Sequence, residues 1–145
     1  MGSLEVAKRF ADLLDLKDVK GLLVFLADDF RAKGGTLELT KQQTIGYLQI
    51  FFTAFPDHSF GFADFEEKGD LVYCTGQEKG THNGVLDLNP FGMPISLPPT
   101  GIFFKLPKTV FTFRATKDKL IYFSEETAEG GGLAGILAQL GVKLP

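Results

Sequence analysis

Residues 56–82 read PDHSFGFADFEEKGDLVYCTGQEKGTH, and within them the chain changes from helical to strand patterning. Because proline cannot occupy a helix interior, the helix that precedes Pro56 must end there. Short runs of aromatic and β-branched residues follow, and Lys68-Gly69-Asp70 is typical of a tight turn between two strands. The stretch therefore predicts a hairpin whose strands cover residues 60–66 and 71 to about 82.

Upstream of this stretch, the spacing of apolar residues predicts three helices. The first begins after Ser3, whose hydroxyl can cap it. The second runs from about Val19 to Ala27 and is closed by the acidic and glycine residues that follow. The third begins with Thr40 and Gln43, which have the spacing of a capping box, and it ends at Pro56.

Downstream of the hairpin, the chain predicts more strands and a short tail. Residues 85–101 are rich in proline, glycine and asparagine and predict a loop. Residues 102–116 predict a long strand that a proline interrupts, and residues 120–127 predict its partner. The glycines at 130–132 predict a flexible hinge. The apolar tail over 133–140 then predicts an amphipathic cover for the open end of a pocket or for a partner subunit.

The order of these elements, helices first and then antiparallel strands, predicts an α+β fold with segregated layers. Hairpins connect such strands easily. A curved antiparallel sheet with the N-terminal helices packed on its concave side around a pocket uses every predicted segment. We find no internal repeat and no linker, so residues 1–145 are expected to form a single domain.

Composition narrows the classes of partner. The net charge is −3 and Lys and Arg are not clustered, so a nucleic-acid partner is not expected. The 15 Phe residues, with no Trp, supply apolar surface for a core or for the lining of a cavity. Cys74 is the single cysteine, so no intrachain disulfide can form. With no signal peptide and no apolar run long enough to span a membrane, we expect a cytoplasmic protein.

Four short motifs occur in order along the chain: Phe55-Pro56-Asp57, Gly80-Thr81-His82-Asn83-Gly84, Leu97-Pro98-Pro99-Thr100-Gly101 and Gln139-Leu140-Gly141. Together they resemble the SnoaL-like polyketide cyclases of the nuclear transport factor 2-like superfamily. The resemblance implies a cone-shaped α+β barrel, a hydrophobic small-molecule ligand and a homodimer. It also implies ring closure by an intramolecular aldol condensation that uses neither a metal nor an organic cofactor.

The same resemblance assigns positions in this sequence. The acid/base carboxylate of those cyclases falls on Glu125, where they have aspartate. Their strand histidine falls on Phe111, and a glutamine two residues earlier falls on Thr109. An asparagine after their second helix falls near Ala32. The resemblance therefore implies that Glu125 is the acid/base residue, while three polar positions of the cyclases are not kept here.

Strand alternation provides a second argument for the same site. It predicts that Ile121, Phe123 and Glu125 share one face of their strand. A carboxyl among phenylalanines is desolvated, which raises its pKa toward the range that suits a general base. We interpret Glu125 and His82 as candidate catalytic residues, the latter because imidazole titrates near neutral pH. The candidate ligand-binding residues are Thr109, Phe111, Phe113, Ile121, Phe123, Tyr47 and Phe52.

Several of these residues also have structural interpretations. His82 can instead hydrogen-bond to the backbone in a bend, and Glu125 can be a solvated residue at a strand end. His58 is interpreted as loop surface, Asp57 as a brace for its turn and Cys74 as a small core residue. No spacing of His, Asp and Glu predicts a metal site.

Three functions remain open at this point. The first is an enzyme that performs aldol-type cyclisation, isomerisation or hydration on a hydrophobic carbonyl compound. The second is a non-catalytic binding module for an apolar small molecule, which a closed pocket without an inward-facing carboxylate would favour. The third is a dimerisation domain with a vestigial pocket, which a cavity filled by the chain's own side chains would favour.

Overall fold

A computed structural model describes residues 2–142 of the chain. The helices are α1 (Ser3–Asp15), α2 (Val19–Phe25), α3 (Lys41–Ala54) and α4 (Gly132–Gln139), and a short 3-10 helix covers Asn89–Phe91. The strands are β1 (Leu26–Gly34), β2 (Leu37–Thr40), β3 (Ala63–Lys68), β4 (Leu71–Gly76), β5 (Lys79–Thr81), β6 (Leu86–Asp87), β7 (Ser96–Leu97), β8 (Phe103–Lys105), β9 (Thr109–Thr116) and β10 (Lys119–Glu126). Over residues 2–142, no helix is both long and apolar enough to span a membrane.

Local rules determine where the longer helices begin and end. The predicted capping box is confirmed at α3, where the Thr40 hydroxyl accepts from the Gln43 N–H at 3.3 Å and the Gln43 amide oxygen accepts from the Thr40 N–H at 3.0 Å. The same helix ends at Ala54, just before Pro56. The predicted Ser3 cap of α1 is wrong by one residue, because Gly2 occupies the N-cap position and makes no side-chain cap. The Glu67 carboxylate instead accepts from the Leu4 N–H at 3.1 Å.

The second helix is shorter than predicted. It ends at Phe25 instead of Ala27, and the acidic residues after it belong to β1. In this strand Leu26 and Phe30 are fully buried, and the backbone is hydrogen-bonded to a strand on each side. Burial and pairing therefore outweigh the helical pattern that the local sequence carries into this segment.

The main sheet has six strands in the order β2-β1-β10-β9-β4-β3. All of its neighbouring pairs are antiparallel except β1 with β10, which is parallel. The prediction of an entirely antiparallel sheet is therefore wrong for this pair. Tight hairpins require antiparallel pairing, but β1 and β10 are distant in the chain and no hairpin constrains them. The helices α1 and α3 pack against this curved mixed sheet, so the fold class is α+β.

Most predicted strands are shortened or divided in the structure. The first begins at Ala63, later than predicted, and residues 71–82 split into β4 and β5 with Gln77-Glu78 between them. The segment 102–116 likewise splits into β8 and β9 around a proline, and the predicted loop over 85–101 contains the short pair β6–β7. The break after β4 places Glu78 between two strands instead of within one.

A β-bulge in β10 changes which side chains share a face. The register of β10 against β9 shifts between Leu120 and Tyr122, which leaves Ile121 as the extra residue. Leu120 is therefore fully buried in the same core as Phe123, whereas Ile121 is not part of that core. The predicted alternation, which put Ile121 on the face of Phe123, is wrong at this residue.

Two apolar clusters hold the elements together. The first lies between α1 and the sheet and includes Phe10, Phe111 and Phe113. The second joins the end of α3 to β8 and α4, and in it the rings of Phe55 and Phe104 meet with centroids 5.0 Å apart. A cavity can persist at the junction of two such clusters because neither extends across the whole interior.

Replacing Gly84 with alanine should destabilise the fold by about 1–3 kcal/mol, the usual cost of overpacking. An added Cβ would lie 2.0 Å from the carbonyl oxygen of Thr53, which is helix backbone and cannot move aside. Gly46 is the matched control, because a Cβ there would meet only the Phe91 ring at 4.0 Å, in a helix where alanine is favoured. Urea unfolding measures both variants, and equal midpoints would contradict the expectation.

Candidate functional site

A cavity of about 390 Å³ opens between the sheet, α1, α3 and the start of α4. Small-molecule sites in proteins are typically about 300–1,000 Å³, so the space suits a small organic ligand. The cavity is therefore not filled by the chain's own side chains, as a vestigial pocket would be. Its apolar lining includes Phe10, Leu14, Leu48, Phe51, Phe60 and Phe123, and its polar lining includes Thr44, Tyr47, His58, Glu78 and Glu125.

Glu125 brings a carboxyl into this cavity from β10. In the sheet, Glu125 lies opposite Phe111 on β9 and Gly34 on β1. Gly34 has no side chain, which leaves space beside the Glu125 carboxyl. A Cβ at position 34 would lie 3.7 Å from Glu125 Oε2. Burial, with the nearby Glu78 carboxyl as a smaller cause, raises the pKa of Glu125 to about 7. Glu125 has no hydrogen-bond partner among residues 2–142, so its carboxyl is available to a ligand.

A pair of ionisable side chains, His58 and Glu78, lines the same cavity. The Nε2 atom of His58 lies 2.5 Å from Oε2 of Glu78, and both side chains are almost fully buried. The His58 ring is enclosed by aromatic edges, with the Phe60 centroid 4.7 Å away at an interplanar angle of 84°. A polar pair in such surroundings is stable only when its partners satisfy each other, which this short hydrogen bond does.

The interpretation of His58 as loop surface is wrong. His58 follows Pro56 in the connection after α3, where its N–H donates to the Phe55 carbonyl oxygen at 2.9 Å and turns the residue inward. Glu78 carries no local sign of burial either, because it lies in a polar stretch and is 20 residues from its partner. No motif links a histidine and a glutamate at that distance, so sequence reasoning missed the pair.

Tyr47 adds a phenol to the cavity from α3. Its ring stacks on Phe51 with centroids 4.5 Å apart, which holds the hydroxyl in position. Burial raises the pKa of Tyr47 well above its ordinary value, and the Glu78 and Glu125 carboxyls raise it further. The phenol is therefore protonated across the physiological range and can donate a hydrogen bond. Tyr47, Glu78 and Glu125, which come from three separate segments of the chain, thus influence one another across this cavity.

Of the predicted ligand-binding residues, Tyr47 and Phe123 line the cavity. Phe111 and Phe113 lie on the same side of the sheet but are almost fully buried in the core and do not line it. Phe111 stacks on Phe123 with centroids 5.6 Å apart and an interplanar angle of 9°. Phe111 and Phe113 therefore pack against Phe123, which lines the cavity, without lining it themselves.

The other predicted ligand-binding residues, Thr109, Ile121 and Phe52, also lie outside the lining. The Thr109 hydroxyl donates to the Glu126 carbonyl oxygen across the β9–β10 pair. Ile121 is displaced by the bulge described above. Phe52 packs against the first core, and the Lys17 ammonium lies 5.7 Å from its ring centroid.

His82, the other predicted catalytic residue, lies away from the cavity lining. Its ring is fully buried beside Phe55, with centroids 5.4 Å apart, and its Nδ1 atom lies 2.9 Å from the Thr100 hydroxyl oxygen. Its backbone pairs with Ile102 and Gly101. His82 thus joins two loop segments, which is the structural interpretation of this residue, and its position gives no support to a catalytic role.

Two other sequence interpretations are confirmed. Asp57 braces its turn by accepting from the N–H and the hydroxyl of Thr81, each at 2.7 Å. Cys74 is a buried core residue of β4, and burial raises the pKa of its thiol to about 12. In the described range 2–142, His, Cys, Asp and Glu nowhere form a group of three or more that could hold a metal ion.

Comparisons with known proteins agree with this architecture. The sequence profile of the family described as SnoaL-like polyketide cyclase matches residues 4–111. No curated protein matches the sequence. AclR from Streptomyces galilaeus, a proposed hydroxylase, has a TM-score of 0.72 at 18% identity, with 97% of this chain and 96% of AclR covered.

Two further solved structures are similar. A proposed SnoaL-like polyketide cyclase from Jannaschia sp. CCS1 has a TM-score of 0.72 at 18% identity, with 97% of this chain and 93% of that chain covered. IdmH from Streptomyces antibioticus, a proposed polyketide cyclase, has a TM-score of 0.69 at 21% identity, with coverage of 95% and 97%. At these identities the structural likeness shows a shared fold.

Proposed function

The chain belongs to the SnoaL-like polyketide cyclase family, and on that premise we propose that it performs cofactor-free acid/base chemistry on a hydrophobic carbonyl compound. The observation that carries the proposal is the Glu125 carboxyl, which opens into an apolar cavity and is not tied to another side chain. With a pKa of about 7, this carboxyl exists as both base and acid near neutral pH. Such a group can accept a proton from carbon and return it to another atom.

In the proposed step, the Glu125 carboxylate removes a proton from the carbon next to the substrate's carbonyl group. The C–H electron pair becomes a C=C bond, and the carbonyl π pair moves onto oxygen. The Tyr47 hydroxyl faces the same cavity and can donate a hydrogen bond to that oxygen. The resulting carbon nucleophile attacks a second carbonyl in an aldol-type cyclisation, or is protonated at another position in an isomerisation.

The cavity lining favours this enzyme over a binding module. A site that only holds an apolar molecule has no use for one buried and one half-buried carboxyl group, because their desolvation costs free energy without improving apolar contact. Glu78 and Glu125 both line the cavity, and each interacts electrostatically with Tyr47. Perturbed ionisable groups that converge on one apolar cavity are more typical of catalysis than of storage.

The proposed first step can be tested without knowing the natural substrate. Exchange of the α-hydrogens of β-tetralone, a small bicyclic ketone, for deuterium in D₂O requires only proton removal and return at carbon. Proton NMR follows this exchange directly. We expect the protein to accelerate it well above the buffer rate, and exchange at the buffer rate would contradict the proposal.

Gly34→Ala should move the pH dependence of this exchange to higher pH. The rate depends on the carboxylate form of Glu125, so its rise with pH should have a midpoint near pH 7. The added methyl, 3.7 Å from Glu125 Oε2, excludes water and should raise the midpoint by about half a pH unit. Gly46→Ala, outside the cavity lining, is the control and should keep the wild-type midpoint. A midpoint in Gly34→Ala that is unchanged or lower would argue against Glu125 as the titrating group.

We also propose that residues 1–145 form one domain, that the ligand is a hydrophobic small molecule and that the protein is a cytoplasmic homodimer. Family membership supports the ligand class and the dimer. The exposed side chain of Val110 on the sheet offers apolar surface for a subunit contact. Light scattering coupled to size-exclusion chromatography measures the oligomeric state, and a monomer at all concentrations would contradict the dimer.

A further inference from the structure

We propose that His58 is a second proton-transfer residue of this cavity, which donates a proton to a substrate oxygen, and that Glu78 is the residue that positions its ring. The inference rests on the proposed function, because the oxygen is the one that becomes negative when Glu125 removes a proton from carbon. It also defines how the substrate binds. The acidic carbon must face Glu125 while the carbonyl oxygen faces His58.

The two ring nitrogens of His58 have different surroundings. Nε2, 2.5 Å from Glu78 Oε2, is placed to donate its proton to that carboxylate. Nδ1 has no hydrogen-bond partner among residues 2–142, and it is not fully enclosed, unlike Nε2 of His82. Because His58 lines the cavity, Nδ1 is the ring atom that remains available to a bound molecule.

The surroundings of the ring fix its direction. Phe60 and Phe51 present T-shaped contacts to it, at interplanar angles of 84° and 87°. Its backbone is held by the bond to Phe55 on one side and, through the His58 carbonyl oxygen, by the Lys17 ammonium at 3.0 Å. A ring that cannot turn, tied to a carboxylate at one nitrogen, keeps the other nitrogen aimed in one direction, as a proton donor requires.

The charges in the cavity suit a donor at this position. A carboxylate that accepts from one imidazole nitrogen stabilises the imidazolium form, in which the other nitrogen carries a proton to give. Glu78 supplies that carboxylate, and Glu125, Tyr47 and Lys33 are the other ionisable residues in the cavity lining. Base and acid therefore come from different elements of the fold, with the substrate space adjoining both.

The proton balance closes over one cycle. The Glu125 carboxylate takes the proton from the α-carbon, and the new enolate oxygen takes the proton from Nδ1 of His58, which leaves a neutral enol and a neutral imidazole. In ring closure, the enol carbon bonds to a second carbonyl carbon and the enol proton returns to His58. The alkoxide formed at the second carbonyl takes the proton from Glu125, so both residues end in their starting forms.

Two model reactions distinguish a residue that donates a proton to oxygen from a residue that removes a proton from carbon. Exchange of β-tetralone needs both a base and a stabilised oxygen, whereas ring opening of nitrobenzisoxazole releases a weakly basic phenolate and needs mainly the base. His58→Gln is the informative variant, because a glutamine amide nitrogen can keep the hydrogen bond to Glu78 but offers no atom equivalent to Nδ1. Glu78→Gln keeps an acceptor for His58 and removes only the charge.

We expect His58→Gln to slow β-tetralone exchange about 100-fold while changing nitrobenzisoxazole opening by less than about threefold. Glu78→Gln should show the same selective loss to a smaller extent. If His58→Gln slows both reactions equally, His58 only supports the fold. If it slows neither, His58 takes no part in the step. Each of these results overturns the inference. If the wild-type protein accelerates neither reaction, or Glu125→Gln leaves both rates unchanged, the proposed function fails and the inference fails with it.

Discussion

Glu125→Gln is expected to lower the rate of β-tetralone exchange by about 1,000-fold, within the range that general acid/base groups contribute. Glutamine has nearly the same shape and polarity as glutamate, so it keeps the position beside Gly34 on the neighbouring strand but cannot accept a proton from carbon. Binding of the ketone should change little, because its apolar contacts are intact. NMR exchange rates and ligand titrations measure the two properties separately.

Folding provides the control for this variant. Because burial raises the folded-state pKa of Glu125 to about 7, its contribution to stability is fully present at acid pH and is lost as pH rises through that value. Glu125→Gln should therefore be more stable than wild type above pH 7, by about 1–3 kcal/mol with allowance for partial exposure. Glu126→Gln, an exposed neighbour on the same strand, should alter neither property. A Glu125→Gln protein that keeps wild-type exchange would remove this carboxyl from the mechanism.

His58→Leu should lower the free energy of unfolding by about 3–5 kcal/mol, the cost of leaving one partner of a buried ion pair alone. Glu78 is only 7% exposed, so its carboxylate would lose its hydrogen-bond partner and gain little contact with solvent. Leucine fills most of the space of the imidazole ring. The loss of stability therefore measures the cost of an unpaired buried charge and not the cost of a cavity. Urea unfolding at neutral pH measures it.

The double variant His58→Leu with Glu78→Leu separates charge from packing. Replacing both members of a buried pair by apolar residues is often close to neutral, so most of the stability lost in the single variant should return. A single variant that loses less than about 1 kcal/mol would show that the pair is not effectively buried in solution. A double variant as unstable as the single one would assign the loss to packing.

Features set by nearby residues were predictable from the sequence. The capping box at Thr40, the helix end before Pro56 and the turn at Lys68-Gly69-Asp70 each depend on a few adjacent residues, and each occurs where the pattern indicates. The strand β1 and its parallel pairing with β10 were not predictable in this way. They depend on contacts between segments far apart in the chain, which leave only a weak local pattern.

The same distinction separates the parts of the candidate site. Glu125 and Phe123 could be placed on one face because they are two residues apart on a regular part of β10. Ile121 could not, because a single extra residue in the strand reverses the alternation and nothing in the local sequence marks it. His58 and Glu78 meet only because a break after β4 and a turn after α3 bring them together.

Because Cys74 is buried, its reaction with thiol reagents can measure how often the core around it opens. The cysteine is 2% exposed in β4, opposite Phe111 of β9, and burial raises its thiol pKa to about 12. Thiol reagents attack the thiolate. While the protein is folded, the reagent cannot reach the Cys74 sulfur, and the thiol stays protonated. Alkylation can then proceed only while the core between α1 and the sheet is open, and its rate reports how often this core opens. Because no other cysteine competes, the chain needs no added label to reveal that motion.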